Sequence, residues 1–339
     1  MKRKSYRITK VGSLNNLKSV EEEFPCPADN EVCIEVKAIG LNFADVFTIM
    51  GLYKAAPKKD FIPGLEFSGI VIDKGKNVTD FKVNDRIMGS VRFGSFTTHL
   101  NIDQRYVMKL PDDWSFEEGA SFIVQALTAY YALVPLGNLR QNQTVLIHSA
   151  AGGVGIYANR IAKRFSAYTI GTIGSSSKMD LLKAEGYNDV IVRNGNFKSE
   201  LAKHLDGKKL DLVLDSVGGK IQKDSFDFLT TTGRLVAYGL SQFASPGATP
   251  NYFKLALRFI TMPRYHTLTL IESNKSILGF NLIWLYDRND MWIKLLSEIK
   301  ALHLDKPYVG STFPFEKLKE AVKVFQAGRT MGKVVVKVE

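Results

Sequence analysis

Small residues at a regular spacing mark the stretch 144–155. Ala150, Gly152 and Gly155 occupy the first, third and sixth positions of the Gly-x-Gly-x-x-Gly pattern that binds dinucleotides, with alanine replacing the first glycine. Ala150 permits a tight turn, Gly152 lets the backbone approach a pyrophosphate, and Gly155 lets a helix pack closely on a strand. The amide groups of the helix N-terminus would then face the phosphates. The candidate contacts of a dinucleotide are Ala151, Gly152, Gly153, Val154 and Gly155.

The segments on either side of this turn support the same interpretation. Thr144–Ile147 is an apolar, β-branched run that predicts a buried strand. After the turn, apolar residues recur on one helical face at Val154, Ala158, Ile161, Ala162 and Phe165. An ordinary strand-to-helix turn can carry similar glycines, but the strand and the amphipathic helix together favour a nucleotide site.

The end of the second strand bears on which dinucleotide binds. An acidic residue there usually holds the ribose 2′-hydroxyl of NAD. Here the strand is followed by glycine and serines, and no acid comes before Asp180. Hydroxyl and cationic groups attract a 2′-phosphate, so Ser175, Lys178 and Arg193 favour NADPH over NADH. The alternative is that both cations are ordinary surface charges.

Ligands for a metal ion are scarce in this chain. A structural zinc site needs four clustered cysteines, and a catalytic one needs Cys and His ligands with an open position. The chain has two cysteines, Cys26 and Cys33, and five scattered histidines. We therefore expect no zinc and no disulfide framework.

The length of 339 residues suggests two domains, at about 150 residues per domain. The formal net charge of +11 has two interpretations. One is an anionic partner, such as a nucleic acid or a lipid surface; the other is a solvated basic surface with a few cations used on an anionic cofactor. Because the basic residues are scattered and no nucleic-acid motif is present, we favour the second and expect no nucleic-acid partner.

The sequence also bears on location. No run reaches the roughly 18 uncharged apolar residues of a membrane span. The best candidate, Tyr252–Ile271, is interrupted by Lys254, Arg258, Arg264 and His266. The basic start, Met1–Lys4, leads into Ser5-Tyr6-Arg7 and not into the apolar core of a secretory signal. We expect a cytoplasmic protein with no transmembrane segment, and peripheral contact with a membrane stays open.

Two patterns of secondary structure divide the chain. Residues 1 to about 123 contain many short strands separated by glycine, which predicts a small barrel-like domain. From about residue 125, strands alternate with helices, which predicts a doubly wound parallel sheet of the α/β class. Its strands are expected at 144–147, 168–172, 190–192, 210–215, 234–238 and 277–285. A surface excursion at 241–265, which includes Pro246, a helix at 291–302 and a β tail at 333–338 complete the prediction.

The motifs together resemble the zinc-independent medium-chain dehydrogenases/reductases of the quinone oxidoreductase (zeta-crystallin) class. The matching pieces are Gly40–Asp45, Gly51–Tyr53, Pro63–Gly69, Ala126–Tyr130 and Ala150–Gly155. Within this class the chain resembles the branch of the vesicle amine transport protein homologues, through Gly137–Leu139, Asn274–Leu282 and Phe313–Lys317. It departs from the class at Arg160, where glutamine is usual, and at Phe47, which replaces a tyrosine.

The resemblance implies a mostly β, GroES-like catalytic domain of residues 1–123 and 289–339, with a Rossmann domain of residues 124–288 between them. It implies a homodimer that forms through the edge at Ile277–Leu285. Gly64-Leu65-Glu66 stands where zinc alcohol dehydrogenases have Gly-His-Glu. The resemblance also places Arg193 at the 2′-phosphate and further contacts around the cofactor: Asn42, Thr128, Gly218, Tyr238, Gly239, Phe280 and Lys333.

Without a metal, hydrogen bonds must polarise the substrate oxygen while a nicotinamide supplies the hydride. A quinone or an α,β-unsaturated carbonyl suits this chemistry, because conjugation spreads the developing charge. Asn42 and Tyr53 are the candidate catalytic residues, although Tyr53 can also be a packing residue, and the proton can come from water or a ribose hydroxyl. We expect an NADPH-dependent quinone or enone reductase with its cleft between the domains. The alternative is a catalytically weak nucleotide-binding module that acts through a membrane surface or a protein partner.

Overall fold

The computed structural model describes residues 1–193, 195–244 and 247–339, so Pro246 lies outside the described residues. The strands are β1 (Lys2–Ile8), β2 (Leu17–Glu23), β3 (Glu31–Gly40), β4 (Glu66–Lys74), β5 (Arg86–Ser90), β6 (His99–Asp103), β7 (Val107–Lys109), β8 (Thr144–Ile147), β9 (Tyr168–Ile173), β10 (Asp189–Val192), β11 (Leu210–Asp215), β12 (Leu229–Ala237), β13 (Ser276–Gly279), β14 (Val309–Pro314) and β15 (Lys333–Lys337).

The helices alternate with the later strands, as the sequence predicts. They are α1 (Phe43–Ile49), α2 (Phe116–Gly119), α3 (Ile123–Tyr131), α4 (Gly153–Arg164), α5 (Met179–Ala184), α6 (Phe197–Leu205), α7 (Gly219–Phe228), α8 (Tyr252–Ile260), α9 (Thr267–Ser273), α10 (Asn289–Ala301) and α11 (Leu318–Gln326). A π-helical turn, Ala132–Leu136, continues α3.

Six strands form a parallel sheet in the order β10-β9-β8-β11-β12-β13. Successive strands are added on one side of β8 as far as β10, and the chain then crosses to the other side of β8 to form β11. The strand order therefore reverses between β8 and β11. Doubly wound sheets bind ligands at the carboxyl ends of the strands at this reversal. The predicted doubly wound sheet is therefore confirmed, and the glycine turn after β8 lies at its crevice.

Burial explains why these residues form the centre of the sheet. Val145, Leu146 and Ile147 are fully buried, which is typical of a parallel strand covered on both faces. Ala158 and Ile161 of α4 are also fully buried, and they lie on the helical face that the sequence assigns to the core.

The N-terminal residues and the C-terminal tail form a second sheet. Its strands run in the order β14-β15-β3-β4-β5-β7, and β6 pairs with β3. The C-terminal strand β15 lies antiparallel to β3, with Val335 opposite Gly40. The tail thus returns to the sheet of the N-terminal residues. The domain limits at 123 and 289 stay predictions.

The predicted sixth strand, 277–285, is wrong over its second half. Strand β13 ends at Gly279, and Leu282–Asp287 is a 3-10 helix. The side chain of Asn281 accepts a hydrogen bond from the amide of Ile283 at 3.4 Å and so starts a turn. Inward-facing and exposed residues then follow a helical spacing, with Tyr286 buried and Trp284 exposed. The edge strand is therefore limited to Ser276–Gly279.

The segment 241–265 contains regular structure that the sequence interpretation did not predict. Helix α8 begins after Asn251, whose side chain accepts a hydrogen bond from the amide of Lys254 at 3.0 Å. None of the residues of α8 is buried. The proline-rich segment is therefore partly helical and lies on the surface.

The expectation that no run has the length and composition of a membrane span is wrong, because a 21-residue helical run, Phe116–Leu136, and not Tyr252–Ile271, is long and apolar enough by these two criteria. However, 72% of its apolar window is buried inside the protein. Its residues share one core cluster with Leu65 and Met88 of the N-terminal part and with Val145 and Ile147 of β8. The run is a core helix that packs the two sheets together.

Candidate functional site

The turn after β8 has the geometry that phosphate binding requires. Helix α4 begins after Gly152, and among the described residues no side chain caps this end, so its first amides have no side-chain partner. A Cβ on Gly152 would meet only the carbonyl oxygen of Ser149, at 3.2 Å. A Cβ on Gly155 would lie 2.6 Å from the carbonyl oxygen of Ala150. Gly155 therefore serves the close packing of helix and strand, while Gly152 faces free space.

The C-terminal tail crosses this turn. The amide of Gly332 donates to the carbonyl oxygen of Ala151 at 2.7 Å, and Gly152 and Gly332 form a parallel bridge. The nucleotide turn is thereby fixed to the segment that leads into β15. Among the predicted glycine-turn residues, Ala151 and Gly153 are buried and Val154 is partly exposed.

Lys178 and Arg193, the two basic residues predicted to contact the 2′-phosphate, differ in their hydrogen bonds. Lys178 Nζ donates to the carbonyl oxygens of Thr330 at 2.8 Å and Gly328 at 3.2 Å. These bonds connect the start of α5 to the C-terminal tail. Arg193 lies after β10, and its Nε is buried with no hydrogen-bond partner among the described residues. Burial lowers the pKa of Lys178, and the nearby Arg193 lowers it further. The two cations thus share one electrostatic environment, but Arg193 keeps an unpaired donor.

Ser175 lies beside this pair. Its hydroxyl contacts the hydroxyl of Ser177 at 2.9 Å and accepts from the amide of Ser177 at 3.3 Å. A Cβ built on Gly174 would lie 3.8 Å from Nη2 of Arg193. The structure therefore brings the predicted phosphate ligands, Ser175, Lys178 and Arg193, to one place at the end of β9.

The carboxyl end of β11 is organised by a buried carboxylate. Asp215 accepts hydrogen bonds from the amide of Val217 at 2.8 Å, from the amide of Gly218 at 3.1 Å and from Gln222 Nε2 at 2.8 Å. Burial raises its pKa, and these three donors and Arg193 oppose the shift. Gly218 has φ +83°, a conformation that favours glycine.

Aromatic residues line the neighbouring strand ends. The rings of Phe280 and Tyr131 meet edge to face at 5.0 Å, and Tyr238 lies 6.3 Å from Phe280. A Cβ on Gly239 would lie 3.2 Å from the carbonyl oxygen of Ser216, so the backbone approaches closely there. The predicted contacts Gly218, Tyr238, Gly239 and Phe280 thus come together at one edge of the sheet.

A buried ionic cluster lies beneath the glycine turn. Lys333 is 1% exposed, and its Nζ lies 2.5 Å from Glu66 Oε2 and 2.8 Å from Asn42 Oδ1. With the amide of Gln125 oriented to satisfy both of its polar atoms, the Gln125 oxygen accepts from Lys333 Nζ at 3.2 Å. Each of the three N–H groups of this ammonium therefore has an acceptor in the protein. Lys333 would have to give up one of them to meet a cofactor.

The acidic members of the cluster are held by backbone amides. Glu66 is fully buried and accepts from the amide of Val124 at 2.9 Å, and Asp45 accepts from the amide of Asn42 at 2.7 Å. Burial raises the pKa of Glu66, which Lys333 opposes, and it raises the pKa of Asp45 to about 7. Asp45 closes the capping box of α1 and so serves as a structural hydrogen-bond acceptor.

The two predicted catalytic residues are engaged in different ways. Asn42 donates to the carbonyl oxygen of Gly40 at 3.2 Å while its oxygen accepts from Lys333. The hydroxyl of Tyr53 donates to Asn281 Oδ1 at 2.7 Å, across from the N-terminal part to the segment after β13. Burial raises the pKa of Tyr53 to about 12. Thr128 donates to the carbonyl oxygen of Val124 at 2.6 Å, within α3.

The residues at the position of the zinc alcohol dehydrogenase motif do not fit a zinc ion. Leu65 is buried in the apolar core, and Glu66 is paired with Lys333. In the described parts of the chain, no three or more His, Cys, Asp or Glu side chains are grouped as a metal site. That the protein uses no zinc stays a prediction.

Sequence reasoning missed Glu66, Gln125 and Asn281 as parts of this region. Glu66 was noted only within a motif. A charge next to the apolar run of β15, Lys333-Val334-Val335-Val336, signals a buried lysine that needs a buried acceptor. Nothing in the sequence indicates that Asn281 meets Tyr53, because 228 positions separate them.

Two family models match the chain. The model of the alcohol dehydrogenase GroES-like domain matches residues 28–112, and the model of the zinc-binding dehydrogenase matches residues 186–336. The synaptic vesicle membrane protein VAT-1 homolog of Danio rerio is 32% identical over 337 residues, which cover 98% of this chain and 69% of that protein. The N-terminal sheet is thus of the predicted GroES-like type.

Solved structures are similar over the whole chain. The Escherichia coli quinone oxidoreductase, complexed with NADPH, has a TM-score of 0.81 at 26% identity and covers 99% of this chain and 100% of that one. The CurK enoyl reductase has a TM-score of 0.83 at 26% identity, with 99% of both chains covered. The predicted resemblance is confirmed: the chain belongs to the medium-chain dehydrogenase/reductase family of oxidoreductases, in its quinone oxidoreductase class with the VAT-1 homologues.

Proposed function

We propose that this protein is an NADPH-dependent reductase of quinones or α,β-unsaturated carbonyls. The observation that carries the proposal is the uncapped start of α4 beside the unpaired donor of Arg193. The first supplies amides to a pyrophosphate, and the second supplies a charged donor to a 2′-phosphate. The NADPH complex of the bacterial quinone oxidoreductase and the enoyl reductase support these cofactor and substrate classes.

A nicotinamide cofactor supplies the hydride in this chemistry when it is bound. The residues of this chain bind and orient it: Gly152 and Gly155 form the phosphate turn, and Arg193 holds the 2′-phosphate. The aromatic side chains Tyr131, Tyr238 and Phe280 form an apolar wall at the strand ends. We propose that this wall keeps water from the hydride path.

Hydrogen bonds and not zinc polarise the substrate oxygen in this proposal. The hydroxyl of Tyr53 keeps its proton at neutral pH, as a tyrosine ordinarily does, and burial raises its pKa further, to about 12. It can donate to a substrate oxygen only after it leaves Asn281. A conjugated substrate spreads the developing negative charge, so water or a ribose hydroxyl is an adequate proton source.

The test is a binding and turnover experiment on a glycine variant. Gly152→Ala places a methyl group in the path of the pyrophosphate but makes only one protein contact, with the Ser149 carbonyl oxygen at 3.2 Å. Gly152 has φ −84°, so alanine fits its backbone without strain. The 3.2 Å contact requires a small shift of the Ser149 carbonyl, so we expect at most a small loss of thermal stability, together with weakened NADPH binding and slower NADPH oxidation with a soluble quinone or enone.

The matched control is Gly279→Ala, on the edge strand, where a Cβ would meet only the Ala237 carbonyl oxygen at 3.9 Å. It should bind NADPH like the wild type. If the wild type binds neither NADPH nor NADH, the nucleotide site itself is refuted. If it binds NADPH tightly but oxidises it with no quinone or enone, the reductase proposal fails and a binding module remains.

A further inference from the structure

Asn281 connects the segment after β13 to the N-terminal part of the chain. It directly follows Phe280 of the aromatic wall, whose amide donates to the carbonyl oxygen of Ala237 at the end of β12, at 3.1 Å. The Asn281 side chain is half-buried. Its Oδ1 lies 2.7 Å from the hydroxyl oxygen of Tyr53 and 3.4 Å from the amide nitrogen of Ile283.

The backbone donor decides which way the Asn281 amide faces. A main-chain N–H cannot accept a hydrogen bond, so the side-chain atom next to the Ile283 nitrogen must be the oxygen. The Tyr53 hydroxyl is then the donor of the second bond to this oxygen. The other branch of the amide, Nδ2, has no hydrogen-bond acceptor in the described part of the chain. Two N–H groups are thus held in a fixed direction and are unused.

Oriented and unused N–H donors suit an oxygen that becomes negatively charged. Hydride addition to a quinone or an enone places negative charge on the carbonyl oxygen, and donors oriented beforehand stabilise this charge without a cost of reorganisation. The hydroxyl of Tyr53 has a single proton, which is bonded to Asn281. Asn281 is therefore the member of this pair that keeps donors for a substrate.

Resting on the proposed function, we propose that Asn281 is a catalytic residue whose Nδ2 donates to the carbonyl oxygen of the substrate. Tyr53 is then a positioning residue that holds the amide through Oδ1. Both bonds of Oδ1 persist during the reaction, so Tyr53 does not have to leave Asn281. The amide stabilises the charge and releases no proton, which comes from water or a ribose hydroxyl.

The surroundings of this pair favour an uncharged carbonyl compound. The Tyr53 ring meets Phe93 edge to face at 6.5 Å, and Phe93 meets Phe61 in the same way at 5.7 Å. Burial raises the pKa of Tyr53 and Arg92 opposes the shift, but the charge of Arg92 is already paired with Asp287 at 2.9 Å. Neutral donors beside aromatic rings suit a quinone or an enone better than a substrate with a free carboxylate.

The test is Asn281→Asp, assayed at about pH 8, where an aspartate is ionised. The carboxylate can still accept from Tyr53 and from the Ile283 amide, so the turn stays in place, but the donors are gone. We expect kcat with a soluble enone to fall about 100- to 1000-fold, as for the loss of one oxyanion-hole donor. The Kd for NADPH and the thermal stability should change little.

The matched control is Asn251→Asp, the same substitution at another helix start. The Asn251 side chain accepts from the Lys254 amide at 3.0 Å, and an aspartate can do the same. This variant should keep the wild-type kcat. A wild-type kcat in Asn281→Asp as well would overturn the proposal.

Tyr53→Phe separates positioning from contact with the substrate. The ring keeps its place beside Phe93, and the Ile283 amide still orients Asn281. We therefore expect kcat to fall only about 2- to 10-fold, the range of one ordinary hydrogen bond. A loss as large as that of Asn281→Asp would mean that Tyr53 itself contacts the substrate, and the proposal would be wrong.

Infrared spectroscopy of a bound enone distinguishes this proposal from the proposed function. An enone with an isotope label in its carbonyl group is bound together with NADP⁺, which carries no hydride, so the carbonyl band is measured without turnover. We expect a lower band frequency in the wild type than in Asn281→Asp, because a hydrogen bond weakens the carbonyl bond. If the wild type shows this shift but no turnover with NADPH, the reductase is refuted and the contact with Asn281 stands. Equal band positions in the two proteins, or no enone bound to the wild type, overturn the contact.

Discussion

Two groups of basic side chains differ in whether the protein satisfies their hydrogen-bond donors. In the inner cluster, Lys333 has Glu66, Asn42 and Gln125 as acceptors and is almost completely buried. At the outer edge, Lys178 is bonded to two tail carbonyls, and Arg193 keeps an unpaired Nε. The protein satisfies the inner group internally, and the outer group is the one that we propose to bind the 2′-phosphate.

The difference teaches that a cation near a nucleotide turn is informative only together with its acceptors. A buried charge with a complete set of partners is a structural element whose loss is costly. A cation with an unused donor gains most from a ligand that supplies a charged acceptor. Loss of a member of the inner group should therefore lower stability, and loss of a member of the outer group should lower the affinity for a ligand.

The largest effect is expected at Glu66. Glu66→Gln leaves the Lys333 ammonium buried without its charged partner, which should destabilise the fold by about 3–5 kcal/mol. Urea unfolding followed by circular dichroism measures it. The control is Glu66→Leu with Lys333→Met, which removes both charges and should recover much of the loss. A Glu66→Gln protein as stable as the wild type would show that the inner cluster is not structural.

The second effect should appear in cofactor affinity and not in stability. Arg193→Ala removes the unpaired donor, so NADPH binding should weaken by about 10- to 100-fold, which corresponds to 1.5–3 kcal/mol for a charged hydrogen bond. NADH binding should stay unchanged, because NADH has no 2′-phosphate. Fluorescence titration with both dinucleotides measures the ratio.

The control for Arg193→Ala is Arg164→Ala, at the exposed far end of α4. It should leave the preference between NADPH and NADH unchanged. Equal losses for NADPH and NADH in Arg193→Ala would mean that the guanidinium does not contact the 2′-phosphate. The outer group would then not differ from the inner group in ligand binding.

The sequence could predict the outer group but not the inner one. Ser175, Lys178 and Arg193 follow strands of one parallel sheet, and the carboxyl ends of such strands meet at one edge, so their proximity follows from local patterns. Glu66 and Lys333 are 267 positions apart, and their pairing depends on the return of β15 to β3. Only the family resemblance suggested that return.

The same distinction explains the errors in secondary structure. Period and β-branching predicted β8, β11 and α10 closely, because each is one continuous pattern. The apolar run 277–285 could be a strand or a helix by composition, and the hydrogen bond from the Ile283 amide to Asn281 decides for a helical turn. Local capping chemistry of that kind is weak in sequence and strong in the folded chain.

A third prediction uses pH to examine the inner cluster. Burial raises the pKa of Asp45 to about 7 in the folded protein, from the ordinary value of 3.8. Between these values the unfolded chain releases the proton first, so stability should fall as pH rises, by about 1.4 kcal/mol per pH unit. Asp45→Asn should flatten this slope between pH 4 and 7.

Thermal or urea unfolding at several pH values measures the slope. Glu66, whose pKa burial also raises, contributes in the same direction in both proteins, so the difference between the two slopes isolates Asp45. The asparagine can still accept from the amide of Asn42 and keep the start of α1. Parallel slopes for the wild type and Asp45→Asn would show that Asp45 is ionised in the folded protein.

The smallest effect is expected for Lys178→Ala, because this outer cation already has acceptors in the protein, as the inner one does. Its ammonium is already bonded to the carbonyls of Gly328 and Thr330, so a 2′-phosphate gains less from it than from Arg193. NADPH affinity should fall about 2- to 10-fold, the range of one hydrogen bond of ordinary strength. Lys223→Ala, which removes an exposed pair with Asp227, is the control and should change nothing. A loss larger than that of Arg193→Ala would show that Lys178 leaves the tail carbonyls when NADPH binds. Lys178 would then be a satisfied cation in the free protein and a phosphate ligand in the complex.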